Sequence, residues 1–204
     1  MFDTNDPLLI YKLSIFFTAI GYIPFGFQVW RSKTRPTLSS WIAWLIMDTV
    51  VYLSMKAGGE NASQLLAYIG GIIGVLAISA YKRAAMGWGW FDTVCIVVTS
   101  IAVVGWVQSG DPTVAIIFSM VAAVVSSLPV LKNALKLPEN EVFLGWLLIT
   151  IGGVLGIATV TNWTIIGAAA QVTFGTLQML MLVLVARKFK NDILGWMDII
   201  LFRD

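Results

Sequence analysis

Gly21-Tyr22-Ile23-Pro24, the basic exit Arg31-Ser32-Lys33-Thr34-Arg35 and the restart Leu38-Ser39-Ser40-Trp41 form the stretch that decides the fold of this chain. A shift of 105 residues carries Pro24 onto Pro129 and Trp41 onto Trp146 without a gap, and it also carries Gly70 onto Gly175 and Lys82-Arg83 onto Arg187-Lys188. Each pair holds the same place relative to its apolar runs. Repeated bundles are how many membrane transport folds are assembled. The repeat unit is three apolar runs long, and the fourth run is left over as a linker. Three crossings plus one return the chain to its starting side, so both bundles have the same orientation about an axis along the membrane normal.

The composition agrees with a membrane setting. Of 204 residues, 58% are hydrophobic and 12% charged, where a soluble domain carries about twice that charged fraction. Seven apolar runs, at 8–30, 41–57, 62–81, 90–108, 112–131, 142–160 and 164–186, read as spanning helices. The expected fold is thus an all-α membrane protein of seven transmembrane helices in a parallel 3+1+3 repeat. Its units are a first triple-helix bundle at 1–83, linker helix 4 at 84–110, a second bundle at 111–190 and a tail at 191–204. In the tail, Ile193, Leu194, Met197, Ile200 and Leu201 share one helical face, which predicts a helix lying in the cytoplasmic interface.

Charge fixes the expected orientation. Arg31, Lys33, Arg35, Lys82, Arg83, Lys132, Lys136, Arg187, Lys188 and Lys190 all fall on one face of a seven-span chain. The other face offers Asp3, Asp6, Glu60 and Asp111, with Lys12 and Lys56 near span ends. The positive-inside rule then puts the amino terminus outside and the carboxyl terminus in the cytoplasm of a multi-pass cell-membrane protein. No cleavable signal peptide is expected.

The same composition excludes several function classes. A net charge of +2 is too small for nucleic-acid binding. With no His and one Cys, Cys95, the chain has no imidazole base, no Cys/His metal site and no intrachain disulfide. Neither a metal nor another cofactor is expected, and neither is enzymatic activity. The expected partners are the bilayer and a small solute, with homo-oligomerisation left open.

The quoted segment, and its second copy Ser126-Ser127-Leu128-Pro129 with Lys132, Lys136 and Trp146, resemble the PQ-loop motif of the SWEET, SemiSWEET and PQ-loop (MtN3-like) transporter superfamily, including its bacterial relatives of this layout. Where the motif has Gln after Pro, this chain has Phe25 and Val130. The resemblance implies alternating access between the two bundles, with Pro24 and Pro129 as hinges and helices 3 and 7 facing the central path. It also implies an alternative, a non-transporting receptor or sorting protein on the same fold. No ATP-binding motif is present, so transport would be facilitated or ion-coupled.

Candidate solute contacts follow from residues that lipid disfavours. Asp48 is the ionisable residue nearest the middle of a span, about 10 Å along the helix from Trp41, and an intramembrane acid is a functional candidate by default. Trp44 and Tyr52, four residues to either side, extend it into one stripe. Gln64 and Tyr68 in helix 3, and Gln171, Thr173 and Gln178 in helix 7, supply further polar groups, the last helix directing Gln171 and Gln178 inward. Two glycine groups, Gly70, Gly71 and Gly74 in helix 3 and Gly152, Gly153 and Gly156 in helix 6, are expected to permit close helix packing. Trp30, Trp41, Trp88, Trp90, Trp146 and Trp196 are expected at the cytoplasmic interface, Trp106 and Trp163 at the outer one, and Trp44 alone deeper.

Overall fold

A computed structural model describes residues 7–31, 37–82 and 90–201. Asp3, Asp6, Lys33, Arg35, Arg83 and Trp88 lie outside the described residues. All regular structure among those described is helical: α1 (Pro7–Trp30), α2 (Leu38–Ala57), α3 (Ser63–Tyr81), α4 (Trp90–Ser109), α5 (Pro112–Lys136), α6 (Phe143–Ala158) and α7 (Ile165–Leu201), with a 3-10 turn at Pro138–Asn140. Five of them, α1, α2, α3, α5 and the Ile165–Arg187 part of α7, are long and apolar enough to cross a membrane. At 16 residues α6 rises about 24 Å, short of a typical hydrocarbon core of about 30 Å. In α4 the matching apolar stretch is Ile96–Ser109. The tail is not a separate element: α7 continues unbroken through the basic segment to Leu201.

Local chemistry sets the turns. Asp111 caps α5, its carboxylate accepting the Thr113 backbone N–H at 2.7 Å, and Pro112 occupies the first helical position where a missing donor costs nothing. Gly59 and Gly110, at φ 79° and 63°, supply the left-handed residues of the α2–α3 and α4–α5 connections. Short connections leave the helices alternating in direction, so the bundle has two ends. One, the basic end, carries Arg31, Lys82, Lys132 and Lys136. There Trp30 stacks on Tyr81 at 5.8 Å with Lys82 Nζ 4.0 Å from the Trp30 ring centre. At the opposite end Asn162 Nδ2 donates to Glu60 Oε1 at 3.1 Å, and Tyr11 donates to Asn61 Oδ1 at 2.8 Å.

Helix α1 packs against α3 and α6, α5 against α2, α4 and α7, and α3 and α7 against α2 and α6 respectively. The α1–α6 contact is made by small residues. Ser14, Thr18 and Gly21 line the buried face of α1, and Gly145, Gly152 and Gly156 that of α6. Ser14 Oγ donates to the Gly152 carbonyl at 2.9 Å. A Cβ on Gly152 would come 2.8 Å from the Thr18 backbone nitrogen and 2.9 Å from the Ser14 carbonyl oxygen. Backbone atoms cannot rotate aside, so these helices approach only because position 152 has no side chain.

The glycines of α3 divide differently from expectation. Only Gly71 is pressed, against the Tyr22 ring, while Gly70 and Gly74 face open space. Gly152→Val should therefore destabilise the protein by about 1–3 kcal/mol, lowering the melting midpoint by on the order of 5–10 °C. Gly70→Ala and Gly74→Ala should leave it unchanged or slightly raised. Melting curves of the three variants in one detergent check this.

Candidate functional site

Six helices, all but α4, contribute side chains to one cavity of about 60 Å³. Tyr22 and Phe25 come from α1, Trp41, Trp44 and Asp48 from α2, Tyr68 and Ile72 from α3, and Ala123 and Ser127 from α5. Trp146 and Ile149 of α6, and Phe174, Leu177, Gln178 and Met181 of α7, complete it. Four pairs of these residues, Tyr22 and Ser127, Trp41 and Trp146, Trp44 and Ile149, and Ile72 and Leu177, are related by the 105-residue shift.

Toward the basic end the cavity is bounded by an aromatic cluster. Phe25, placed directly after Pro24, lies edge-on to Trp41 at 5.5 Å and to Trp146 at 5.3 Å, and Trp44 meets Trp146 at 6.3 Å. The Trp41 and Trp146 rings are 5% exposed and belong to the core. Each opens its helix at the basic end, but the ring packs under Phe25 inside the bundle and not on its outer surface. Two indoles are held by hydrogen bonds. Trp44 Nε1 donates to Ser127 Oγ at 3.2 Å, and Ser127 Oγ donates in turn to the Ala123 carbonyl at 2.7 Å. Trp146 Nε1 donates to Glu141 Oε2 at 3.1 Å, just outside the start of α6.

Toward the other end the cavity meets a polar layer. Gln178 Nε2 donates to the Tyr68 hydroxyl at 3.0 Å, while Gln64 Nε2 donates to Thr18 Oγ1 at 3.1 Å and to the Gly152 carbonyl at 3.0 Å. Thr150 Oγ1 donates to the Gln178 carbonyl at 3.1 Å. Gly153 and Gly156 leave the space these amides fill: a Cβ at 153 would overlap Gln178, and one at 156 would overlap Gln64 and come 2.9 Å from Gln171 Oε1. Beyond the layer lies a second pocket of about 320 Å³, lined by Tyr11, Glu60, Asn61, Gly156, Asn162 and Gln171 among others. The layer thus lies between the two pockets.

Asp48 stands about 15 Å along α2 from its first residue, near mid-depth, and is 5% exposed. Among the described residues it is the one buried Asp, Glu, Lys or Arg. No described residue donates a hydrogen bond to its carboxylate, and the cavity lining contains no Lys or Arg. Its counterpart under the 105-residue shift is Gly153, whose missing side chain is replaced by the Gln178 amide.

Of the residues singled out from sequence, Asp48, Trp44, Tyr68 and Gln178 line the cavity. Gln64 lies in the polar layer one turn from Tyr68, and Gln171 lines the second pocket. Tyr52 packs, partly buried, on the core outside the cavity. Thr173 is also partly buried and outside the lining. Pro24 and Pro129 both lie inside their helices, Pro129 buried two residues after Ser127. Tyr22, Phe25, Trp41, Ser127, Trp146 and Phe174 were not singled out as contacts, although the shift that pairs Trp41 with Trp146 also pairs Tyr22 with Ser127.

Glu141 tethers one wall of the site and gives it a pH dependence. Desolvation at its partly buried place pushes its carboxyl up from the usual 4.5, and the Trp146 N–H partly offsets this. The folded protein then holds the proton more tightly than the unfolded chain, so stability is greatest below the usual carboxyl range and falls as pH rises toward the folded value. A melting midpoint that declines across this window, and a flatter profile with a higher midpoint at neutral pH in Glu141→Gln, are expected.

Comparison of the chain with family models, with curated proteins and with solved structures found no match.

Proposed function

We propose that this chain is a membrane transporter of a small polar solute, sugar-, vitamin- or amino-acid-like, working by alternating access between two three-helix bundles. In this reading seven helices span the bilayer in a parallel 3+1+3 repeat, with the amino terminus outside and the basic end cytoplasmic. The short α6 is accommodated by local thinning of the bilayer. The chain resembles the SWEET and PQ-loop superfamily in its two Pro-containing segments.

The observation that carries the proposal is the set of four shift-related pairs around one mid-depth cavity. A pseudo-two-fold axis along the membrane normal would run through that cavity, where repeat-built transporters bind their cargo. Helix packing supports the same symmetry. Exchanging α1, α2 and α3 for α5, α6 and α7 turns the α1–α6 contact into α5–α2, α1–α3 into α5–α7, and α2–α3 into α6–α7, all of which occur. The aromatic cluster and the polar layer then act as the two gates, and Pro24, next to Phe25, as the hinge of the first.

Uptake into proteoliposomes containing the purified protein tests this, using a panel of labelled sugars, amino acids and amines. Saturable uptake of at least one, abolished by its unlabelled form, is expected. Binding without flux across the whole panel would instead favour a receptor on this fold.

A further inference from the structure

The cavity's chemistry narrows the solute more than its size does. A neutral polyol needs many donors and acceptors, and most of those in the lining are already engaged. Ser127 is bonded to Trp44 and Ala123, and Gln178 to Tyr68. Among the groups left over is the Asp48 carboxylate, the one charged group of the lining, nineteen-twentieths buried with no cation around it. An ionised carboxylate at this depth needs a positive partner, since mid-bilayer charges persist only when paired or facing water.

The same cavity is lined by the rings of Tyr22, Trp41, Trp44, Tyr68 and Trp146. Their planes are steeply inclined, at 56° between Trp41 and Trp44, 75° between Tyr22 and Trp41, and 87° between Trp44 and Trp146. Rings set this way form the walls of a box, not a stack, and aromatic faces attract cations through their quadrupoles.

We propose that the cavity takes a compact organic monocation, an alkyl- or quaternary-ammonium group, with Asp48 as its counter-ion and the tryptophan and tyrosine rings as its walls. That this cation is carried across the membrane rests on the transporter reading; that it is bound does not. The ammonium centre sits beside Asp48, and no group on α5, α6 or α7 in the lining competes with it for charge.

The test uses the full chain in lipid nanodiscs and three probes: choline, its uncharged isostere 3,3-dimethylbutan-1-ol, and glucose. Tryptophan fluorescence and the melting midpoint are read against probe concentration. Saturable quenching and a raised midpoint are expected with choline, binding at least about tenfold weaker with the isostere, and no response to glucose. Asp48→Asn should erase the difference between choline and the isostere. Because the probe comparison is made on the unaltered protein, it stands even if that variant does not fold. Equal affinity for choline and the isostere, or a response to glucose alone, would overturn the assignment. Charge-selective binding without choline flux in proteoliposomes would retain the cation site and remove the transporter reading. Flux of a neutral solute without ammonium selectivity would do the reverse.

Discussion

Asp48→Asn is expected to cut solute flux by about ten- to a hundredfold while leaving the protein at least as stable as before. The two halves of this expectation have one cause. A carboxylate buried near mid-depth, with no hydrogen-bond donor and no cation beside it, is a cost to the fold. Asparagine has nearly the same shape without that cost, so the melting midpoint should hold or rise by on the order of a few degrees. The solute loses its one charged partner, and interactions with charged groups contribute about 1.5–3 kcal/mol where they are made. A structural role for Asp48 would produce the opposite pattern, a lower midpoint with flux reduced only in proportion to folded protein. Measuring both quantities on the same preparation separates the two.

The second large effect concerns the prolines. In the double variant Pro24→Ala, Pro129→Ala, flux should fall at least about tenfold while the melting midpoint rises, because Pro in a helix interior costs about 3 kcal/mol relative to Ala. Each Pro removes the donor that would bond the carbonyl four residues earlier and forces a bend there. In α1 Pro24 immediately precedes Phe25, the ring lodged between Trp41 and Trp146. Swinging the segment after Pro24 would withdraw that ring and open the cavity to the basic end. A straight α1 would hold Phe25 in place. A rise in stability with normal flux would reduce both prolines to static kinks.

The sequence expresses some of this directly and some only through pairing. Helix limits were readable because apolar runs end at Gly, Pro and charge: α1 runs Pro7–Trp30 against an expected 8–30, and α5 is capped by Asp111-Pro112. Asp48, Trp44, Tyr68 and Gln178 were readable because lipid penalises polar groups, so such residues must face inward. Tyr52 was not, since the cavity extends from Asp48 toward the start of α2 and thus meets the residue four positions before it but not the one four positions after. That Trp41 and Trp146 pack inside the bundle was not readable from their places at helix starts. Their burial depends on α6 crossing close to α1, a contact between segments 138 residues apart at Ser14 and Gly152 that no local pattern contains. The repeat held that information in its pairing of Tyr22 with Ser127 and Trp41 with Trp146.

Alternating access at this cavity is tested most directly by a cysteine placed inside it. With Cys95 replaced by Ser, Ser127→Cys puts one thiol in the lining at nearly constant volume. Membrane-impermeant thiol reagents are then applied from either side of sealed vesicles of known orientation. Labelling from both sides is predicted, with Pro24→Ala, Pro129→Ala confining it to one side. Labelling from one side alone in the unaltered background, or from neither, would contradict a cavity that opens in turn to each face of the membrane.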